Sequence, residues 1–302
     1  MRIRISAGTA KMLGLKNLKM DVPLATAYLM VGERCVYDCA YCAQARNAKV
    51  GRRNLLSRII WPQYNLEEVL HSLHNAPFKR ICIQVVNSPG YFESLIWVIR
   101  SLPKKIPVSV SIRTLNLQQL KALFDEGVDR VGLPLDVASP SLYEKLRGGD
   151  FNTARSFIVE SAHRFPGKIS THIIVGLGET DREILEVIQE FLDEGILVSL
   201  FAFTPVKGTK MESYPPPPLD RYRKIQTAFY LMRKGFVHFH ELEFSADGSL
   251  ITSLDLSTED RKKAFLTLGC PDCTRPFYNE HPGGTMYNIP TKEGCRVEAS
   301  DV

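Results

Sequence analysis

Apolar runs of strand length alternate with amphipathic stretches of helix length along most of the chain. TAYLMVG (26–32) is a continuous apolar run that predicts a first strand. NLEEVLHSLHN sets Leu66, Val69, Leu70 and Leu73 at helical spacing, with acidic residues in its opening turn. KRICIQVV (79–86) then predicts a second strand, YFESLIWVIRSL a second helix, and PVSVSIRT (107–114) a third strand followed by helical LQQLKALFDEG. DRVGLPLD, ending near Asp136, predicts a fourth strand, with helix from about 141 to 162. KISTHIIVGLGE and LVSLFAFTPVKGT predict strands five and six, separated by the helix DREILEVIQEFLDEG. A long helix starts where the prolines of PPPPLDRYRKIQTAFYLMRKG end, and FVHFHELEF is a candidate seventh strand.

Strands alternating with helices imply βαβ units, right-handed crossovers and a parallel sheet. Six or seven such units fit a full or partial (β/α) barrel better than an open sheet, and a barrel places its chemistry in the loops that follow its strands. The expected division is an N-terminal extension (1–25), a barrel (26–265) and a C-terminal extension (266–302), where the chain turns rich in Cys, Pro, Gly and Asn. At 302 residues, 44% hydrophobic and 24% charged, the composition is that of a globular protein. No apolar run reaches 18 residues, and the N-terminus lacks the apolar core of a signal peptide, so no membrane association and a cytoplasmic location are expected. In that compartment clustered cysteines are metal ligands more often than disulfides. The net charge of +5 is concentrated in ARNAKVGRRNLLSR, where Arg46, Lys49, Arg52, Arg53 and Arg58 occur without an acid. The segment is either a solvated loop or a patch for an acidic partner; no nucleic-acid-binding motif accompanies it.

GERCVYDCAYCAQAR, directly after the first strand, holds three of the seven cysteines: Cys35, Cys39 and Cys42, as C-x3-C-x2-C. Such thiolates hold zinc or an iron–sulfur cluster. No fourth ligand follows in the loop, and three ligands on a four-iron cluster leave one iron open to a small molecule. The chain here resembles the radical SAM superfamily, over residues 26–244. The resemblance implies a partial (β/α)6 TIM-like barrel, a 4Fe-4S cluster on Cys35, Cys39 and Cys42, and S-adenosyl-L-methionine at the open iron, cleaved reductively to a hydrogen-abstracting radical. CVYDCAYCAQA is similar to the form found in biotin synthase and its relatives. That likeness implies Tyr41 near the adenine, Asp136 on the ribose hydroxyls and Arg155 on the carboxylate of S-adenosylmethionine, with IIVGLGE (173–179) passing the adenine. Asp136 also suits a helix N-cap, and IIVGLGE a tight strand–helix turn.

The resemblance to biotin synthase itself is incomplete. Cys82 matches the first of the three strand cysteines that hold its two-iron cluster, but PVSVSIR carries Ser109 and Ser111, and Ser170 stands at the third position. Cysteines occur instead as Cys270 and Cys273 in LGCPDCTRPFYNE, a C-x2-C spacing suited to two corners of a metal site. With Cys82 as third ligand, or Cys295 as the alternative, they are expected to hold an auxiliary 4Fe-4S cluster; a zinc knuckle is the competing reading. A second cluster resembles lipoyl synthase, whose usual C-x4-C-x5-C is absent, and better the split lipoyl synthase of archaea and some bacteria. That likeness implies a sulfurtransferase inserting sulfur at C6 or C8 of a protein-bound octanoyl chain. It further implies an octanoylated lipoyl carrier, an electron donor and a second radical SAM protein as partners. The rivals are a biotin synthase-like enzyme or another radical SAM enzyme whose auxiliary cluster relays electrons. His172, beside strand five, is read as a core histidine in preference to a cavity residue.

Overall fold

The computed structural model describes residues 1–20, 22–51, 54–278, 280 and 284–290. The chain packs into two compact units.

The first unit comprises Met1–Pro134, Pro205–Ser213 and Cys270–Thr274. Its elements in order are β1 (Arg2–Ile5), α1 (Ala7–Met12), β2 (Thr26–Val31), β3 (Leu55–Leu56), β4 (Ile59–Ile60), β5 (Gln63–Asn65) and α2 (Leu66–Leu73), then β6 (Arg80–Val85), α3 (Tyr91–Ser101), β7 (Val108–Ser111), α4 (Leu117–Asp125) and β8 (Arg130–Gly132). The strand order is β5-β1-β2-β6-β7-β8. The last four of these are parallel, whereas β1 runs antiparallel to β2 and β5. β1 falls in the stretch expected to be an extension: four residues, RIRI, carry too little pattern to announce a strand.

Register sorts the side chains of this sheet. Neighbours in a parallel pair point the same way, so Tyr28, Cys82, Ser109 and Arg130 form one row and Met30, Gln84, Ser111 and Gly132 the next. Thr26 and Arg80 begin the same face. The opposite face carries Ala27, Ile81 and Val108, then Leu29, Ile83, Val110 and Val131, and it is covered by helices such as α3. The helix-covered face is wholly aliphatic and the other is mostly polar. A polar interior must satisfy its hydrogen bonds, and it does so at a site described below.

The second unit comprises Leu135–Thr204, Tyr214–Gly269 and the described residues from Arg275 onward. It contains α5 (Pro140–Leu146), α6 (Phe151–Arg164), β9 (Ile169–Val175), α7 (Asp181–Asp193), β10 (Leu197–Ala202), α8 (Leu219–Arg233), a 3-10 turn (Phe239–Glu241), α9 (Thr258–Ala264) and α10 (Arg275–Tyr278). β9 and β10 pair in parallel through six residue pairs, and Thr180 and Glu183 close a capping box on α7. The single helix expected from about 141 to 162 is two, because Gly148 and Gly149 take φ of 76° and 90° between them. The expected seventh strand is the 3-10 turn. There Glu241 Oε2 accepts from His238 N (2.7 Å) and Gln189 Oε1 from Phe239 N (2.9 Å), so backbone donors that a ladder would need are used by side chains. Among the described residues the first unit has four parallel strands and the second a parallel pair.

Residues 284–290 are held by a buried carboxylate. Glu280 accepts from Tyr287 N (2.9 Å), Asn288 N (2.8 Å) and Asn288 Nδ2 (2.8 Å), while Tyr287 donates to Pro217 O (2.7 Å). Burial outweighs these bonds and pushes the Glu280 carboxyl up to about 7 from an ordinary 4.5.

Two outcomes are expected. A folded pKa above the unfolded one means that, between pH 4.5 and about 7, only the unfolded chain readily ionises. The Glu280 contribution, about 3 kcal/mol, is then present below pH 4.5 and lost as pH rises through about 7. Thermal melts from pH 5 to 8 will show this decline in the wild type and a flatter profile in Glu280→Gln. Gly32, which ends β2, takes φ of 93°, and a Cβ there would lie 1.9 Å from Val86 O. Gly32→Ala is therefore expected to cost at least ~3 kcal/mol in denaturant unfolding.

Candidate functional site

The cysteine loop leaves β2 at Gly32, beside the C-terminal ends of β2 and β6. Hydrogen bonds within it and to neighbouring segments hold it in place. Val36 N donates to Asn87 O (2.8 Å), and the Asn87 side chain donates to Arg113 O (2.9 Å) past the end of β7. Arg46 N donates to Tyr37 O (2.8 Å). Asp38 accepts from Lys210 Nζ (2.7 Å), Asn47 N (3.0 Å) and Asn47 Nδ2 (3.0 Å), with Lys210 the main cause of a carboxyl pKa lowered to about 2. From β1, Arg4 donates to Gln44 Oε1 (3.1 Å) and Gly32 O (2.5 Å), a bracing role with no signature in the sequence. Inside this frame Cys42 N donates to Cys39 O (3.1 Å) and Gln44 N to Cys42 Sγ (3.4 Å). Cys35, Cys39 and Cys42 are half-buried thiols that form no disulfide, and Tyr41 is half-buried between the last two.

These residues suit an iron–sulfur cluster by donor chemistry: three soft thiolates on one braced loop. Among the described residues no three His, Cys, Asp or Glu side chains converge as one ion would require. A mononuclear zinc site needs all its ligands about 2.3 Å from one point, whereas in a cluster each thiolate binds a different iron. Cys35, Cys39 and Cys42 are the residues that would hold it.

A second cysteine group lies in the same unit. Cys82 is on the polar face of β6, its Sγ accepting from Gln84 Nε2 (3.0 Å). Cys270 and Cys273 flank a turn closed by Cys273 N to Cys270 O (2.9 Å), with Asp272 at φ of 64°. The turn docks through its two middle carbonyls: Arg80 Nε donates to Pro271 O (3.0 Å) and Thr26 Oγ1 to Asp272 O (2.7 Å). Buried Arg80 also donates to Ser109 Oγ (2.8 Å) and pairs with Asp129 (2.7 Å). Thr274 N donates to the hydroxyl of Tyr28, the residue in register with Cys82. Burial pushes that hydroxyl's pKa well up, and Cys273 and Cys82 lie near enough to add to the effect. The turn docks at the N-terminal ends of β2 and β6, the end opposite the cysteine loop, because the donors that match its carbonyls are Thr26 and Arg80. Cys295 lies outside the described residues, as do Arg52 and Arg53. Of the other basic residues, Arg46 and Lys49 are exposed and Arg58 is half-buried.

Asp136 and Arg155 belong to the second unit. Asp136 sits at φ of 63°, a conformation Asp tolerates better than most residues. Its backbone pairs with β9 through His172 O and Ile174 N. Its buried carboxylate meets two cations or donors: Arg147 Nη1, and His172 Nε2 at 2.8 Å. It caps no helix; Ser139 precedes α5. His172, read from the sequence as a core residue, is partly exposed, with its ring 5.0 Å from Phe201. Arg147 was not singled out in the sequence, where nothing distinguishes it from a surface arginine. Arg155 pairs with Glu190 (3.1 Å), and burial raises the Glu190 pKa. IIVGLGE forms a strand-to-helix turn in which buried Glu179 accepts from Gly176 N (2.6 Å) and Leu177 N (2.9 Å). Gly176 packs where a Cβ would lie 2.9 Å from Pro217.

The model of the Radical SAM superfamily matches residues 29–191. Among curated proteins, the chain is 27% identical to GTP 3′,8-cyclase of Limosilactobacillus fermentum over 225 residues, covering 73% of this chain and 65% of that one. It is 28% identical to biotin synthase of Synechococcus sp. (66% of each chain) and 30% identical to lipoyl synthase of Haemophilus influenzae (56% of this chain, 53% of that one). The chain thus spans about two thirds or less of the length of these relatives. Its fold is like that of methylornithine synthase, with a TM-score of 0.55 at 15% identity over 76% of this chain and 66% of that one. Among the described residues no helix is long and apolar enough to cross a membrane. With the family model covering more than half of its residues on an α/β, partial-barrel fold, this chain belongs to the radical SAM superfamily.

Proposed function

We propose that this radical SAM enzyme inserts sulfur at an unactivated carbon, as one partner of a two-protein lipoyl synthase acting at C6 or C8 of a protein-bound octanoyl chain. The observation that carries the reading is the second cysteine group, Cys82 with Cys270 and Cys273. It is assembled by contacts between residues nearly 200 apart in sequence, on the strand pair that also bears the Cys35–Cys42 loop. A 4Fe-4S cluster with S-adenosylmethionine at the loop would supply the radical chemistry that an unactivated C–H bond demands, and an auxiliary cluster at the second group would supply sulfide.

The chain's own residues set the geometry between the two ends. Cys82 is level with Tyr28 on β2, and Gly32, where the loop begins, is four residues further on, or about 13 Å at the usual strand rise. A medium-length acyl chain is of that scale. Arg80 and Thr26 hold the turn that presents Cys270 and Cys273, and the polar face of β6 and β7 lines the way with Gln84, Ser109 and Ser111. β7 carries Ser109 and Ser111 and no cysteine where a biotin synthase-type cluster would need one, so dethiobiotin is not the expected substrate. Exposed Arg46 and Lys49 suit an acidic carrier domain. Similarity over 73% of the chain to a GTP 3′,8-cyclase, whose named reaction is a cyclisation, favours a second reading: a radical SAM enzyme of another reaction type. An auxiliary cluster in such an enzyme would be retained as an electron relay.

Anaerobic iron and sulfide analysis with Mössbauer spectra tests the carrying observation. About eight irons in the wild type, falling to about four in Cys270→Ala/Cys273→Ala, are expected; about four irons in both proteins would remove the sulfur donor and the proposal with it. Loss of auxiliary sulfide on turnover with an octanoyl-carrier peptide separates sulfur insertion from a relay, which leaves the cluster intact. Arg80→Met removes the clasp on Pro271 O without touching a thiol. It is expected to lower auxiliary iron occupancy about 10- to 100-fold at limiting iron while the first four irons stay.

A further inference from the structure

Arg113 follows β7 and reaches the cysteine loop from the side. Its Nη1 lies 3.6 Å from Cys39 Sγ, and its guanidinium carbon lies 3.8 Å from the centroid of the Tyr37 ring. Both contacts fall on one short stretch of loop: Tyr37 is two residues before Cys39. The arrangement is braced from behind, because Asn87 donates to Arg113 O through its side chain while its own carbonyl accepts from Val36 N. One buried asparagine thus fixes both the arginine backbone and the loop backbone next to Tyr37. Stacking on an aromatic face orients a guanidinium without neutralising it.

We propose that Arg113 sets the charge environment of the Cys35–Cys39–Cys42 site: it holds a permanent positive charge against the Cys39 sulfur and raises the reduction potential of the group those cysteines bind. The inference rests on the reading that these three thiolates hold a 4Fe-4S cluster. One-electron reduction adds a negative charge to an already anionic thiolate site. A fixed cation in contact with one sulfur favours the reduced state, since net charge and hydrogen bonds to the sulfurs are principal determinants of such potentials. Arg113 is thereby a positioning residue that acts through Cys39. Lysine keeps the charge but neither the planar stack nor the fork of donors.

The test is an anaerobic redox titration, read by electron paramagnetic resonance, of reconstituted wild type, Arg113→Gln, Arg113→Lys and Tyr37→Leu. All four are made in the Cys270→Ala/Cys273→Ala background so that one site reports. Arg113→Gln is expected to lower the reduced-to-oxidised ratio about tenfold at a fixed ambient potential, a midpoint about 59 mV more negative for a one-electron couple. Arg113→Lys should recover part of the loss, and Tyr37→Leu, which removes the platform but not the cation, should fall between wild type and Arg113→Gln. An unchanged midpoint in Arg113→Gln at wild-type iron content overturns the proposal, as does a lysine variant no closer to wild type than the glutamine one. Should Arg113→Gln bind no iron, the lysine and Tyr37 variants carry the measurement, and wild-type midpoints in both overturn it. Cys39→Ala separates the underlying reading: if it retains four irons, the loop is not the cluster site and that reading fails on its own.

Discussion

The in-register parallel pairing of β2 with β6 is the constraint on which the first unit depends. Six residue pairs, from Thr26 with Arg80 to Val31 with Val85, set which side chains share a face and at what height. A slip of one residue would turn Cys82 and Arg80 toward the aliphatic face and bring Ile81 and Ile83 to the polar one. The same pairing carries the cysteine loop at one end and the docking partners of the Cys270–Cys273 turn at the other. Gly32 lets the pairing end cleanly, since its backbone approaches Val86 O more closely than any side chain allows.

Two physical demands then meet on the polar face. Parallel strands usually bury both faces in aliphatic residues, but chemistry on cofactors and thiols needs polar groups there, and each buried polar group needs a partner. The first unit meets the second demand with a small number of multiply bonded side chains. Arg80 joins β6, β7, the segment before β8 and the Pro271 carbonyl; Asn87 joins the loop to the end of β7; Arg4 joins β1 to Gly32 and Gln44. Leaving one such group unpaired costs about 1–3 kcal/mol, so these residues tie the stability of the sheet to the shape of the two cysteine sites.

In the second unit, Asp136 shows the same economy. Its left-handed backbone is held by ladder bonds to β9, and its carboxylate is met by Arg147 and His172. The packing supplies a buried, oriented acceptor, with one imidazole held at its edge, and a carboxylate has enough lone pairs to accept from more than two donors.

The succession of strands and helices, the family, and the loop that carries Cys35, Cys39 and Cys42 were legible in the sequence, because hydrophobic period and short-range spacing are local properties. Gly148 and Gly149 were equally visible as a break, yet the helical pattern on either side masked it; the 3-10 turn at Phe239–Glu241 was hidden because side-chain acceptors claimed its backbone donors. The tertiary structure alone decided where the Cys270–Cys273 turn docks, that Arg113 lies on Cys39, and that Arg147 and His172 meet Asp136. Each of these joins residues far apart in the chain through one or two hydrogen bonds or a single stacked ring. Such contacts leave no periodic trace: an arginine that clasps a carbonyl and one that faces water are the same letter until the strands set their register.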